Sequence, residues 1–131
     1  MKVIHVSGSR KSAVARATLS LGVGIVRVNS QILQAYEPSM SRLKIQEPLL
    51  IAGDKAKAVN IDVNVRGGGI SSQAEAVRLA VARALAQYDK TLQKAFLEYD
   101  RALLVADVRR KETHKPNCHG KARAMRQKSY R

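Results

Sequence analysis

The chain has 131 residues, enough for one domain whose core needs neither disulfide bonds nor metal. Its 24 lysines and arginines against 10 aspartates and glutamates give a net charge of +14, more than solubility requires of a small domain. A single cysteine excludes an internal disulfide, and no apolar run is long enough for a signal peptide or a membrane span. We therefore expect a cytoplasmic protein with a polyanionic partner. Nucleic acid is the commonest such partner, and a membrane surface is the weaker alternative.

Basic residues recur near the N-terminus. Residues 8–12, Gly-Ser-Arg-Lys-Ser, place Arg10 and Lys11 between small polar side chains, ahead of a predicted strand. Arg16 and Arg27 follow on the strands. Because bases recur on neighbouring elements, we interpret them as phosphate contacts, with a solvated loop as the alternative.

Residues 13–28 are apolar and β-branched, with Gly22 and Gly24 near the middle, and predict two strands joined by a tight turn at Gly22-Val23-Gly24. Residues 39–52 predict a helix that is interrupted near Pro48. Residues 58–66 alternate between apolar and polar side chains and predict a half-buried strand. Its apolar face consists of Val59, Ile61, Val63 and Val65.

Three glycines, Gly67, Gly68 and Gly69, separate this strand from the clearest predicted helix. Glycines let a backbone approach a phosphate closely, and a helix N-terminus offers free N–H groups. No Gly-Lys-Ser/Thr follows, so the pattern does not indicate nucleotide hydrolysis. The adjacent Arg66 favours an RNA backbone as the partner, while a plain strand-to-helix turn stays open as the alternative.

Two amphipathic helices end the domain. Ser72 and Glu75 have the spacing of a capping box at the start of the first. A single apolar stripe along it is formed by Val77, Val81, Ala84, Leu85 and Tyr88. The second helix is predicted over about residues 91–104. The predicted elements follow the order strands, helix, strand, helix, helix. This order predicts an α+β fold, with helices packed on one face of a small sheet.

The charge is concentrated after Asp107, where we divide a globular domain (1–107) from a long basic tail (108–131). The domain holds 15 basic and 9 acidic residues, a net of +6, and the tail holds 9 and 1, a net of +8. The tail has too few apolar residues to offset its ordering entropy, so we expect it to be extended and to order against a polyanion. A solubilising tail is the alternative. The candidate phosphate contacts in the tail are Arg109, Arg110, Lys111, Lys115, Lys121, Arg123 and Arg126.

The sequence predicts neither a metal site nor a catalytic site. His114, Cys118 and His119 suggest zinc, but a structural zinc site needs four ligands and usually paired cysteines. A Cys–His nucleophile is equally poor, because nothing in the tail would hold the pair. The acidic residues mostly stand beside lysine or arginine and form no acid–base pattern. We expect no enzymatic activity, no cofactor and no small-molecule substrate.

Several segments resemble the S9 family, the ninth protein of the small ribosomal subunit. They are residues 8–17 (GSRKSAVARA), 64–74 (NVRGGGISSQA) and 80–85 (AVARAL). The ending, residues 121–131 (KARAMRQKSYR), is similar to the archaeal and eukaryotic tails of that family. The resemblance follows the order of the chain and covers essentially all of it.

The resemblance implies a βαβ-rich domain like the second domain of another small-subunit ribosomal protein. It also implies a place in the head of the small subunit, bound to its rRNA and beside neighbouring ribosomal proteins. The family's tails reach towards the tRNA in the peptidyl site, a role that falls here on Lys128, Tyr130 and Arg131. One departure is the single Gly120, where relatives often have more glycine ahead of the tail.

We therefore predict a structural ribosomal protein that acts in translation, binds rRNA and contacts tRNA. A free-standing RNA or DNA chaperone is the alternative among binding proteins. A small enzyme with a basic substrate site is the alternative from another class, and the missing catalytic pattern argues against it.

Overall fold

Five strands form one mixed sheet in the computed structural model, which describes residues 3–113. They are β1 (Ile4–Arg10), β2 (Ala13–Leu21), β3 (Val26–Val28), β4 (Gln31–Ile32) and β5 (Val59–Arg66). Their order across the sheet is β1-β2-β5-β3-β4. β3 runs parallel to β5, and the other neighbouring strands are antiparallel.

The helices pack on one face of this sheet. They are α1 (Ser39–Ala52), α2 (Ile70–Tyr88) and α3 (Lys90–Tyr99), with short 3₁₀ helices at Leu33–Ala35, Gly53–Ala58 and Arg101–Leu103. α2 lies on β1 and β2, and α1 and α3 pack against α2. The predicted α+β architecture is confirmed. The tail beyond residue 113 lies outside the described residues, so its predicted extension is untested.

Side chains along the strands alternate between buried and exposed positions, as expected for a sheet covered on one face. The predicted apolar face of β5 is buried, and on β2 the side chains of Ala13, Ala15, Ala17 and Leu19 point the same way. α2 is buried on more sides than the single predicted stripe, because Ala76, Leu79 and Ala80 are buried as well. The extra buried positions follow from its place between the sheet and the other two helices.

The two strands predicted within residues 13–28 exist, but the turn between them does not make a hairpin. β5 lies between β2 and β3. The Gly22 N–H donates to the Ala58 carbonyl at 3.0 Å, and Asn60 Oδ1 accepts from the N–H groups of Val23 and Ile25 at 3.0 and 3.1 Å. The segment between β2 and β3 is therefore hydrogen-bonded to β5 and to the residue before it. A local sequence pattern cannot show these long-range hydrogen bonds.

Two predicted helix features are wrong. α1 is continuous through Pro48, whose ring is buried, so the packing of this face sustains the helix despite the missing backbone hydrogen bond. The capping box is absent because α2 begins at Ile70, which leaves Gly69 as the N-cap and puts Ser72 inside the first turn. Glu75 instead forms ion pairs with Arg10 and Lys44.

Asp89 ties α3 to the segment that precedes β5. Its carboxylate accepts from the backbone N–H and the hydroxyl of Thr91 at 3.0 and 2.8 Å and forms an ion pair with Lys55. The hydrogen bond with Lys55, followed by those with Thr91, lowers the pKa of Asp89 to about 2. None of the helices in residues 3–113 is long and apolar enough to cross a membrane.

We expect Asp89 to make the domain lose stability in acid. Its pKa in the folded protein is about 2, below the ordinary 3.8. The stability that the ionised Asp89 contributes is therefore complete at pH values above its ordinary pKa and is lost as the pH falls towards 2. Asp89→Asn should flatten the pH dependence of the free energy of unfolding in this window, measured by chemical denaturation. Glu98→Gln, on the exposed face of α3, is the control, and identical pH profiles for wild type and Asp89→Asn would contradict the prediction.

Candidate nucleic-acid interface

The sheet face opposite the helices is open and polar. Strand register places Arg16 opposite Asn64 and Arg27 opposite Asp62, while Arg66 lies opposite Val14 at one end. All these side chains except Val14 are charged or polar, and each of them is exposed. Two shallow hollows meet on this face, and Arg16 and Asn64 line both. The face therefore offers guanidinium and amide groups to a ligand.

Ion pairs gather on the other side of the molecule. Arg78 pairs with Glu47 at 2.6 Å and with Asp100 at 3.3 Å, and Lys57 pairs with Asp54 at 3.6 Å. The cations of the open face make no ion pair within residues 3–113; they are Arg16, Arg27 and Arg66. The open face thus carries three exposed arginines that have no carboxylate partner within the described domain.

The three glycines differ in their surroundings. Gly67 and Gly68 have φ values of 80° and 66°, in the region that glycine adopts most readily. A Cβ on Gly67 would lie 2.5 Å from the Ser12 carbonyl oxygen, and one on Gly68 would lie 3.0 Å from Ala13. These two glycines let the loop pack on the turn between β1 and β2. Gly69 has no atom within 4 Å of a built Cβ, so it is open to solvent.

The first turn of α2 begins beside Arg66. No side chain caps this helix, and Gln73 instead donates from Nε2 to the Gly67 carbonyl at 3.0 Å. The first N–H groups of a helix have no partner within it. These N–H groups and the exposed Arg66 therefore lie at the same end of β5.

The two basic residues of the segment 8–12, Arg10 and Lys11, have different environments. Lys11 is exposed at the turn between β1 and β2, with φ 53°. Arg10 is the last residue of β1, and its side chain is only 17% exposed. Its Nε donates to Glu75 at 2.6 Å, and its NH1 pairs with Asp107. A phosphate could reach the Arg10 guanidinium only if these ion pairs opened.

The predicted contacts of the tail are partly described. Arg109, Arg110 and Lys111 are exposed, and Arg110 NH1 donates to the Lys11 carbonyl. The other predicted rRNA contacts lie outside the described residues: Lys115, Lys121, Arg123 and Arg126. So do the predicted tRNA contacts, Lys128, Tyr130 and Arg131, and the candidate metal ligands His114, Cys118 and His119. Within residues 3–113, no cluster of His, Cys, Asp or Glu could hold a metal ion.

Three residues in or near the candidate interface were not predicted as site residues: Asn64, Arg83 and Asp107. Asn64 was detectable, because alternation puts it with Arg66 on the polar side of β5. Arg83 donates to the carbonyls of Ser7 and Leu104, and Asp107 pairs with Arg10, which lies far from it in the chain. A local sequence pattern does not predict partners that lie so far apart in the chain.

A family described as "Ribosomal protein S9/S16" matches residues 8–131. The chain belongs to this family. It is 45% identical to the small ribosomal subunit protein uS9 of Methanococcus maripaludis strain C5, over the full length of both chains. The same identity and coverage hold for the uS9 protein of Methanococcus vannielii. The resemblance to the S9 family inferred from the sequence is confirmed, and the family is one of structural ribosomal proteins rather than enzymes.

We expect Gly67 and Gly69 to respond differently to a side chain. Gly67→Ala combines a left-handed φ with a contact of 2.5 Å to backbone, so it should destabilise the domain by more than about 1 kcal/mol. Gly69→Ser places a favourable N-cap residue in open space, so the free energy of unfolding should change by less than about 0.5 kcal/mol. Chemical denaturation of both variants measures the difference. Equal losses of stability would show that Gly69 is also required for folding.

Proposed function

We propose that this protein is a structural component of the small ribosomal subunit and binds rRNA with the open face of its sheet. The observation that carries the proposal is the set of exposed arginines on one open face of the sheet. Arg16, Arg27 and Arg66 make no ion pair within the described domain, whereas Arg78, which lies among the helices, is paired with Glu47 and Asp100. Membership of a ribosomal protein family supports rRNA as the polyanion and the cytoplasmic ribosome as the location.

The chemistry of the open face suits the backbone of folded RNA. Arginine binds phosphate oxygens in bidentate fashion, and amide and hydroxyl groups contact phosphate and sugar. Arg16, Asn64 and Arg66 supply such groups from two adjacent strands. Gly69 and the first turn of α2 extend the surface with backbone N–H groups. The proposed rRNA contacts of the described residues are Lys11, Arg16, Arg66, Gly67, Gly68, Gly69, Arg109, Arg110 and Lys111.

The tail continues this interface. Residues 108–131 carry a net charge of +8, and a cationic chain of this kind suits a groove lined by phosphates. Lys115, Lys121, Arg123 and Arg126 would extend the rRNA contacts. By resemblance to the family, the protein would lie in the head of the subunit beside other ribosomal proteins. The last residues, Lys128, Tyr130 and Arg131, would approach the tRNA in the peptidyl site.

A free-standing nucleic-acid chaperone is the second candidate, since it would use the same exposed cations. The two differ in where the protein resides. A subunit component sediments with small subunits at moderate salt, whereas a chaperone dissociates and sediments as a free protein. The relatives named uS9, which match over their whole length, favour the first.

We expect Arg16→Gln with Arg66→Gln to weaken binding to small-subunit rRNA. Each cation–phosphate interaction removed should lower the slope of log affinity against log salt by about 0.9, so the double variant should lower it by about 1.8. Titrations of the purified protein with rRNA at several salt concentrations measure affinity and slope. Lys94→Gln, an exposed cation on α3, is the control for charge alone. If the Lys94 variant lowered the slope as much as the removal of one open-face arginine, the open face would have no special role.

Gly69→Ser tests the glycine loop in the same titration. The protein leaves open space at Gly69, so weaker binding by a stably folded variant would mean that the added side chain collides with the bound RNA. Unchanged affinity would remove Gly69 from the interface and leave the arginines as its centre.

We expect removal of residues 128–131 to weaken tRNA in the peptidyl site while subunits still assemble. The deletion removes two of the 24 basic side chains, a small share of the rRNA contacts, but all of the proposed tRNA contacts. The measurement is tRNA affinity for purified subunits at matched salt. Lys121→Gln with Arg123→Gln is a control that removes two charges earlier in the tail. Full tRNA affinity in fully assembled subunits would reject the role of the tip.

A further inference from the structure

We propose that Arg10 and Asp107 form a latch that fixes where the basic tail leaves the domain. Arg10 would then serve RNA binding as a positioning residue rather than as a phosphate contact. The inference rests on the proposed rRNA-binding function, because it concerns how the tail is presented to RNA. It concerns residues 104–110, which follow the last 3₁₀ helix and are called the exit segment here.

Arg10 joins two carboxylates from different parts of the chain. Its Nε lies 2.6 Å from Glu75 of α2, and its NH1 pairs with Asp107 of the exit segment. The side chains of Arg10 and Asp107 are 17% and 27% exposed, so both partners are largely withdrawn from water. If one member of this pair is removed, the other loses a partner in a partly desolvated place, and only the Arg10–Glu75 or the Asp107–Arg109 pair remains. The contact therefore restrains the exit segment.

Asp107 also shapes the residues that follow it. Its carboxylate accepts from the Arg109 backbone N–H at 2.9 Å and from the Arg109 guanidinium at 2.6 Å. The hydrogen bonds from Arg109, together with the charge of Arg10, hold the pKa of Asp107 well below its usual range. The carboxylate is therefore ionised at neutral pH, and the latch is permanently charged.

Two further contacts hold the exit segment on β1 and its turn. Arg83 of α2 donates to the Leu104 carbonyl at 3.1 Å and to the Ser7 carbonyl at 2.9 Å. Arg110 donates to the Lys11 carbonyl at the turn between β1 and β2. The exit segment is thus held near its start, its middle and its end.

This path brings separate cations towards one place. The turn that receives Arg110 is also the turn on which Gly67 packs, next to Arg66. Lys11, Arg66 and the first cations of the tail therefore surround the same corner of the sheet. A segment already ordered in its bound direction loses less conformational entropy when it binds. The latch would raise RNA affinity by this means, without touching the RNA itself.

Asp107→Asn separates the latch from simple electrostatics. The substitution makes the protein more positive, so charge alone predicts tighter binding to rRNA. The latch predicts binding that is weaker by about tenfold, the factor expected from releasing roughly one ordered backbone residue. Asp62→Asn is the matched control, because it removes an acidic charge from the open face without touching the exit segment. Asp107→Asn binding rRNA as tightly as the wild-type protein, or more tightly, would overturn the latch.

Arg10→Gln completes the test in the full-length protein. If Arg10 acts through Asp107, each single variant and the double variant should bind rRNA with similar affinity, because the second change removes nothing further. If Arg10 contacted phosphate directly, only Arg10→Gln would weaken binding, and the salt slope would fall by about 0.9. That result would overturn the positioning role.

Amide exchange supplies a measurement that needs no RNA. The latch predicts that the Arg109 backbone N–H exchanges faster with solvent in both single variants, while the amides of β5 keep their protection. Unchanged exchange at Arg109 in Arg10→Gln would overturn the latch. Failure of the wild-type protein to bind rRNA would instead overturn the proposed function, so the two failures are distinguishable.

Discussion

The close approach of α2 to β1 is the constraint on which the other features depend. A Cβ on Gly8 would lie 2.7 Å from the backbone of both Ala76 and Ala80, so the strand and helix backbones nearly touch. Buried alanines on β2 and α2 continue this thin contact layer. Because α2 lies so close, Glu75 and Arg83 can reach across to β1 and to the exit segment. The same packing closes one face of the sheet and leaves the other open.

The distribution of charge follows from this arrangement. Carboxylates on the helical side neutralise the arginines that hold elements together, as Glu47 and Asp100 do for Arg78. Much of the remaining positive charge lies in the tail and on the open face, where like charges repel and oppose compaction. A polyanion that binds only the folded protein relieves this repulsion and stabilises the fold by linkage. The domain and its RNA would thus support each other.

Features that depend on local pattern could be predicted from the sequence. Alternation in β5 is visible because a half-buried strand repeats every two residues, and it also sets Asn64 and Arg66 on the polar side. The pairing of β2 depends instead on β5, which follows β3 by 30 residues, so the segment predicted as a tight turn at Gly22-Val23-Gly24 does not pair β2 with β3. The low helix propensity of proline predicts a break at Pro48. The burial of this residue, which sustains α1, is a tertiary contact that propensity does not include.

Arg10 and Lys11 show that neighbouring basic residues of one motif can have different surroundings in the fold. The pattern Gly-Ser-Arg-Lys-Ser treats them alike, yet Lys11 occupies an exposed turn and Arg10 faces Glu75 and Asp107. Basic side chains that form ion pairs within the fold are less free to bind phosphate, and exposed cations away from the open face, such as Lys94, would not contact the RNA. The salt dependence of RNA binding would therefore report fewer contacts than the number of lysines and arginines.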